Sequence, residues 1–162
     1  DSIIRILATL KPKKIIVLSS SPQIRFPDCY GIDMSQINKF VAFKALIDLI
    51  HRDEKEYILE EAYDECLAQN LQPMEYIQNG IQKLYDHYSY EEISARVGEM
   101  LTLEGRGTPV EIIFQTLEGL HKAIPAHKGD WYFSGKYPTP GGNRVVNRAF
   151  INFMEKKDVR AY

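Results

Sequence analysis

The chain has 162 residues, 44% of them apolar and 26% charged, a balance that suits one ordinary globular domain or half a domain with an appended subdomain. A formal net charge of −2 provides no basic field for holding a nucleic-acid backbone, so no nucleic-acid partner is expected. Two cysteines, Cys29 and Cys66, are too few for a disulfide scaffold, and no apolar run reaches the roughly 20 residues of a membrane-spanning helix; the expected setting is a reducing, cytoplasmic one with no membrane partner.

In chain order, Ile3, Ile6, Leu7 and Leu10 fall at helical spacing over residues 2–10. Pro12 stops that helix, and Lys11, Lys13 and Lys14 read as its solvated end. Ile15-Ile16-Val17-Leu18 is an unbroken apolar run without alternation, which predicts a parallel strand covered on both faces. Helix, basic turn and buried strand make half of a βαβ unit. With the sequence opening at Asp1 inside the helix, the expectation is a piece of a longer protein whose preceding strand lies upstream. Residues 19–34 then form a long loop leaving the carboxyl end of the strand, where open α/β sheets bind their ligands. Gly31, between Tyr30 and Ile32, is expected to take a positive φ or to allow a close backbone approach. Ser35 is placed to cap the next helix, with Ile37, Phe40, Val41 and Leu46 on its apolar side.

From residue 53 the pattern becomes helical. Asp53 is placed to cap a helix through about Gln69, and Pro73 suits the first turn of a helix over 73–87. Ser89 and Glu92 have capping-box spacing ahead of a helix to about Leu103. Gly105-Arg106-Gly107-Thr108-Pro109 is a break, Val110–Phe114 reads as a short strand, and residues 116–124 as a helix. Residues 125–142 are rich in Gly, Pro and aromatics with no clear period, and a final amphipathic helix carries Val145, Val146, Ala149, Phe150 and Phe153. The fold class is therefore α/β but mostly helical: the end of a parallel sheet over residues 1–50, then a mainly helical region over 51–162.

Asp1-Ser2-Ile3-Ile4-Arg5 is a near match to the phosphoribosyl loop of type I phosphoribosyltransferases, which reads acid-acid-Ser-Ile-Val-Arg-Gly-Thr-Thr. That loop needs carboxylates for the ribose hydroxyls, then backbone amides and hydroxyls for the 5′-phosphate. Here Ile6-Leu7-Ala8 follows Arg5, with neither the Gly nor the Thr pair, so the segment reads as the helix downstream of such a loop.

Two other segments are more specific. Ser19-Ser20-Ser21-Pro22, Arg25-Phe26-Pro27 and Tyr30-Gly31-Ile32-Asp33-Met34 stand together after the strand, and Asp130-Trp131-Tyr132-Phe133-Ser134-Gly135-Lys136-Tyr137-Pro138-Thr139 stands about 100 residues later. In this order they resemble two stretches of the glutamine phosphoribosylpyrophosphate amidotransferases, while residues 45–105 match that family only weakly. The resemblance implies a type I phosphoribosyltransferase-like sheet and the first committed step of de novo purine biosynthesis. In that step a glutaminase domain with an N-terminal Cys nucleophile releases ammonia, and a Mg²⁺-dependent glycosyltransferase domain joins it to phosphoribosyl pyrophosphate, giving phosphoribosylamine. Neither the nucleophile nor the phosphoribosyl loop lies in these residues, so no catalytic residue is expected here and the piece alone should be inactive. Its implied partners are the remainder of its own chain, further copies in a homo-oligomer, and a purine nucleotide as feedback ligand. By the same resemblance Tyr30, Gly31, Asp33 and Ser35 belong to a nucleotide-adjacent loop and Phe40 lies beside the ammonia route. The plainer alternatives are a helix cap for Ser35 and core packing for Phe40.

Some family members carry an iron–sulfur cluster. Four thiolates are needed and this sequence has two, with Gly129 and Tyr132 where the relatives' Cys-x-x-Cys stands, so no cluster is expected, nor any other bound metal. His51, His87, His121 and His127 lack metal-ligand spacing. Gly141-Gly142-Asn143-Arg144 suits either an anion-binding helix start or a plain turn and cap. Trp131, Tyr132, Phe133 and Tyr137 suit core packing better than base stacking in an acidic chain. Two readings from other classes remain beside the enzyme: a non-enzymatic helical interaction module, and a stand-alone nucleotide-binding regulatory domain.

Overall fold

The structure, a computed structural model, describes residues 3–30, 33–104, 107–127 and 129–162. It is mixed α/β and mostly helical, with one two-stranded parallel sheet. Helix α1 (Ile3–Ala8) ends ahead of Pro12 as its sequence requires, and strand β1 (Ile15–Ser19) follows. Strand β2 (Val110–Phe114) pairs with it in parallel, Ile15 opposite Val110 and Ser19 opposite Phe114. Helix α4 (Tyr90–Glu104) packs on β2 and α1 packs on β1. Coverage differs from expectation: Ile15 is buried, but Ile16 is 56% and Leu18 75% exposed. The strand is parallel, yet among the described residues its second face has no cover.

The long loop does not lead straight into a helix. Asp33–Ser35 and Ile37–Lys39 are separate 3₁₀ turns, and helix α2 (Val41–Arg52) starts with Phe40 as its extended N-cap residue. Ser35 therefore does not cap α2. The bond from the Asp28 N–H to the Met34 carbonyl (2.8 Å) closes the loop just before it, and Ser35 is buried instead.

Asp53 likewise ends a helix rather than opening one. Its N–H bonds to the Leu49 carbonyl, Glu54 turns left-handed (φ 55°), and Lys55 N–H reaches back to Ile50. The Lys55 bond and that from Glu54 N–H to the His51 carbonyl (3.2 Å) are the pair of a Schellman stop, built without glycine. Helix α3 (Tyr57–Asn70) starts three residues later, with no side-chain cap.

The helix expected over 73–87 is replaced by two 3₁₀ turns, Met74–Tyr76 and Gln82–His87. The cause lies in helix α7 (Pro140–Met154). Asn143 donates to the Ile77 carbonyl (2.9 Å), and Asn147 donates to the Gln78 carbonyl and accepts from Gly80 N–H (both 2.8 Å). Backbone groups that a helix would pair internally are taken by α7 side chains. Gly80 also lies against α3, where a Cβ would come within 2.8 Å of the Cys66 Sγ.

One continuous apolar core runs from Phe26 to Ala161 and joins α2, α3, α4 and α7. At its centre Phe43 meets Phe150 and Phe153 edge-on, with centroids 6.2 and 4.9 Å apart. The capping box at α4 is formed as its spacing requires: Ser89 N–H to Glu92 Oε2 at 2.7 Å and Glu92 N–H to Ser89 Oγ at 3.1 Å.

Candidate functional site

The loop at the carboxyl end of β1 is held in place by the second motif segment. Helix α5 (Leu117–Ala123), capped by Thr116, follows β2; helix α6 (Trp131–Ser134) is a single turn, and its Tyr132 carbonyl accepts from both Arg25 N–H (2.9 Å) and Phe26 N–H (3.0 Å). Trp131 Nε1 donates to Asp28 Oδ2 at 2.7 Å, and the Tyr137 hydroxyl donates to the Pro27 carbonyl. Asp28 uses its other oxygen on the Cys29 N–H (2.6 Å). Gly135 then leaves α6 in the left-handed region (φ 71°). A Cβ there would meet Gln82 Oε1 at 2.5 Å and the Phe26 ring at 2.8 Å, so both the turn and the close approach require glycine. Asn79 and Gln82 donate to the Gly135 and Ser134 carbonyls (3.1 and 3.0 Å), completing the joint.

Behind the joint lies a buried polar cluster. Gln23 is fully buried, and its Nε2 donates to the Tyr90 carbonyl and to Ser94 Oγ, both at 2.9 Å. Its Oε1 accepts from Arg25 Nε and Nη2 at 3.0 and 2.8 Å. The Arg25 guanidinium sits over the rings of Tyr85 and Tyr90, 4.9 and 5.0 Å from their centroids. Desolvation pulls its pKa below the ordinary arginine value, and arginine still keeps its charge. The Tyr90 hydroxyl accepts from Gln23 N–H (2.9 Å) and donates to the Gln115 carbonyl (2.8 Å), tying the ends of β1 and β2 to the start of α4. These contacts order a loop; they do not activate a nucleophile. A Ser–Asp–His run nearby has its carboxylate in the middle: Asp130 accepts from Ser134 (2.8 Å) and lies 3.0 Å from His121. A base relay needs the histidine between the other two. Among the described residues no group of three or more His, Cys, Asp or Glu could hold a metal ion.

The site residues expected from sequence fare differently. Tyr30 is 80% exposed. Gly31, with the expectation about its φ, lies outside the described residues. The Asp33 backbone enters the first 3₁₀ turn, which ends at the buried Ser35. Phe40 is buried in the main core. The tie between the two motif segments rests on Asp28, Trp131, Tyr132 and Tyr137, and the cluster behind it on Gln23 and Tyr90, which carry no signal in the sequence. Trp131, Tyr132 and Tyr137 read from the sequence as packing groups, not as hydrogen-bonding ones. No local pattern marks a backbone carbonyl as the anchor of a distant loop. No family model, curated protein or solved structure matches this chain.

Proposed function

We propose that this chain is the C-terminal part of a glutamine phosphoribosylpyrophosphate amidotransferase, with β1 and β2 belonging to a larger type I phosphoribosyltransferase-like sheet. The observation that carries the reading is the joint itself. Two segments that resemble that family separately, about 100 residues apart, bond to each other through Tyr132, Trp131 and Tyr137 at the carboxyl end of a parallel strand. Two chance matches have no reason to meet. The exposed apolar face of Ile16 and Leu18 also supports it, because parallel strands are ordinarily covered on both sides.

On this reading the loop bearing Tyr30, Gly31, Asp33 and Ser35 lies beside the purine nucleotide that restrains the enzyme. The Mg²⁺ site, the phosphoribosyl loop and the glutaminase nucleophile belong to the upstream part of the same protein. Phe40 supports the wall of the ammonia route from within the core. The test is turnover by the complete gene product given phosphoribosyl pyrophosphate, Mg²⁺ and glutamine. Glutamine-dependent pyrophosphate release is expected from it and none from residues 1–162 alone. A complete product without turnover, or an active 1–162 piece, refutes the assignment.

A further inference from the structure

Helix α7 ends in the same glycine-free stop as α2. Lys156 is left-handed (φ 56°), its N–H bonds to the Phe153 carbonyl at 3.1 Å, and Lys157 N–H bonds to the Asn152 carbonyl at 2.8 Å. The tail then runs back along the helix. Asn152 Nδ2 donates to the Val159 carbonyl (3.5 Å), and Ala161 is buried in the core, which pins the reversal. This return brings Lys157 and Arg160 alongside Arg144 and Arg148, which lie one turn apart on α7.

The result is a groove of about 610 Å³ whose lining carries four cationic side chains and no Asp or Glu. Only Lys157 has an acidic partner, Glu155 at 2.7 Å, and Glu155 also feels the field of Arg148. The neighbouring Asp158 is occupied by Gln36 Nε2 at 2.9 Å. Among the described residues Arg144, Arg148 and Arg160 form no ion pair with an Asp or Glu side chain. In a chain of net charge −2, the fold has gathered like charges that an anion would neutralise. Guanidinium forks match phosphate oxygens two at a time. The half-exposed Tyr162 ring and Val159 add apolar surface beside them, and the volume is that of a small-molecule site.

We propose that this groove binds a small organic phosphate carrying at least two negative charges, held by Arg144, Arg148 and Arg160. The inference stands on the groove alone and is independent of the function proposed above. The test is calorimetric titration of the complete gene product with inorganic tripolyphosphate as probe, at about 0.15 M salt so that loose ion-pairing is screened. One site per chain is expected, with affinity falling about tenfold or more in R144Q/R148Q, which removes two charge-assisted contacts. The exposed tail variant Arg160→Gln should weaken binding severalfold, and it keeps the test open should the double variant misfold. Unaltered affinity in both variants overturns the site. So does non-saturable binding, or a stronger response to a short single-stranded RNA, which would mark a general polyanion surface.

Discussion

Gly135→Ala tests the joint most directly. An alanine there must hold φ near 71°, which costs an L-residue about 1–2 kcal/mol. Its Cβ also falls 2.5 Å from Gln82 Oε1, 2.8 Å from Asn79 Nδ2 and 2.8 Å from the buried Phe26 ring. The two amides can swing only by releasing the Ser134 and Gly135 carbonyls, and the ring is locked in the core, so overpacking adds about 1–3 kcal/mol. The expected loss is about 2–5 kcal/mol, or roughly 4–20 °C in Tm for a chain of this size. Urea unfolding followed by far-UV circular dichroism measures it, and Trp131, the sole tryptophan, reports the joint by fluorescence. Gly107→Ala is the control. Gly107 is also left-handed (φ 88°), but a Cβ there has nothing within 4 Å, so only the backbone penalty of about 1–2 kcal/mol applies. Equal losses at the two glycines would refute the packing argument, and a loss below about 1 kcal/mol at Gly135 would refute the conformational one as well.

Four further outcomes are expected. Asn147→Ala strands the part-buried Gly80 N–H and Gln78 carbonyl, so urea unfolding should show a loss of about 1–3 kcal/mol, with Asn147→Asp recovering only the contact to Gly80. Lys156→Gly relieves a left-handed residue at a helix stop and should stabilise by up to about 1 kcal/mol; a destabilisation would contradict the Schellman geometry. A thiol reagent at mildly alkaline pH should label Cys29, which is exposed, and leave Cys66 untouched until the chain unfolds. Burial pushes the Cys66 thiol from 9.0 up to about 12, so its stabilising contribution is complete below pH 9. Over pH 9–12 the unfolded chain loses that proton first, so stability should fall as pH rises, and Cys66→Ala should flatten the decline in chemical denaturation curves.

What the sequence determined by itself was every element whose cause is local. The stop at Pro12, the two short apolar strands, the Ser89–Glu92 capping box and the apolar stripe of α7 each depend on neighbours within a few residues. The rest either lacks its usual local signal or depends on distant partners. Asp53 looks like a helix opener, yet it closes α2 because Glu54 turns left-handed without the glycine that would have announced it. Residues 73–87 have helical credentials, but Asn143 and Asn147 of α7 satisfy their backbone groups more cheaply than a helix would. Ser35 has the chemistry of a cap and is buried instead, behind the bond between Asp28 and Met34 that shuts the loop ahead of it. The meeting of Arg25 and Phe26 with Tyr132, and of four cations in one groove, were equally out of reach of periodicity. Backbone hydrogen bonds and chain reversals between remote segments carry no side-chain pattern, and the folded chain alone brings their partners together.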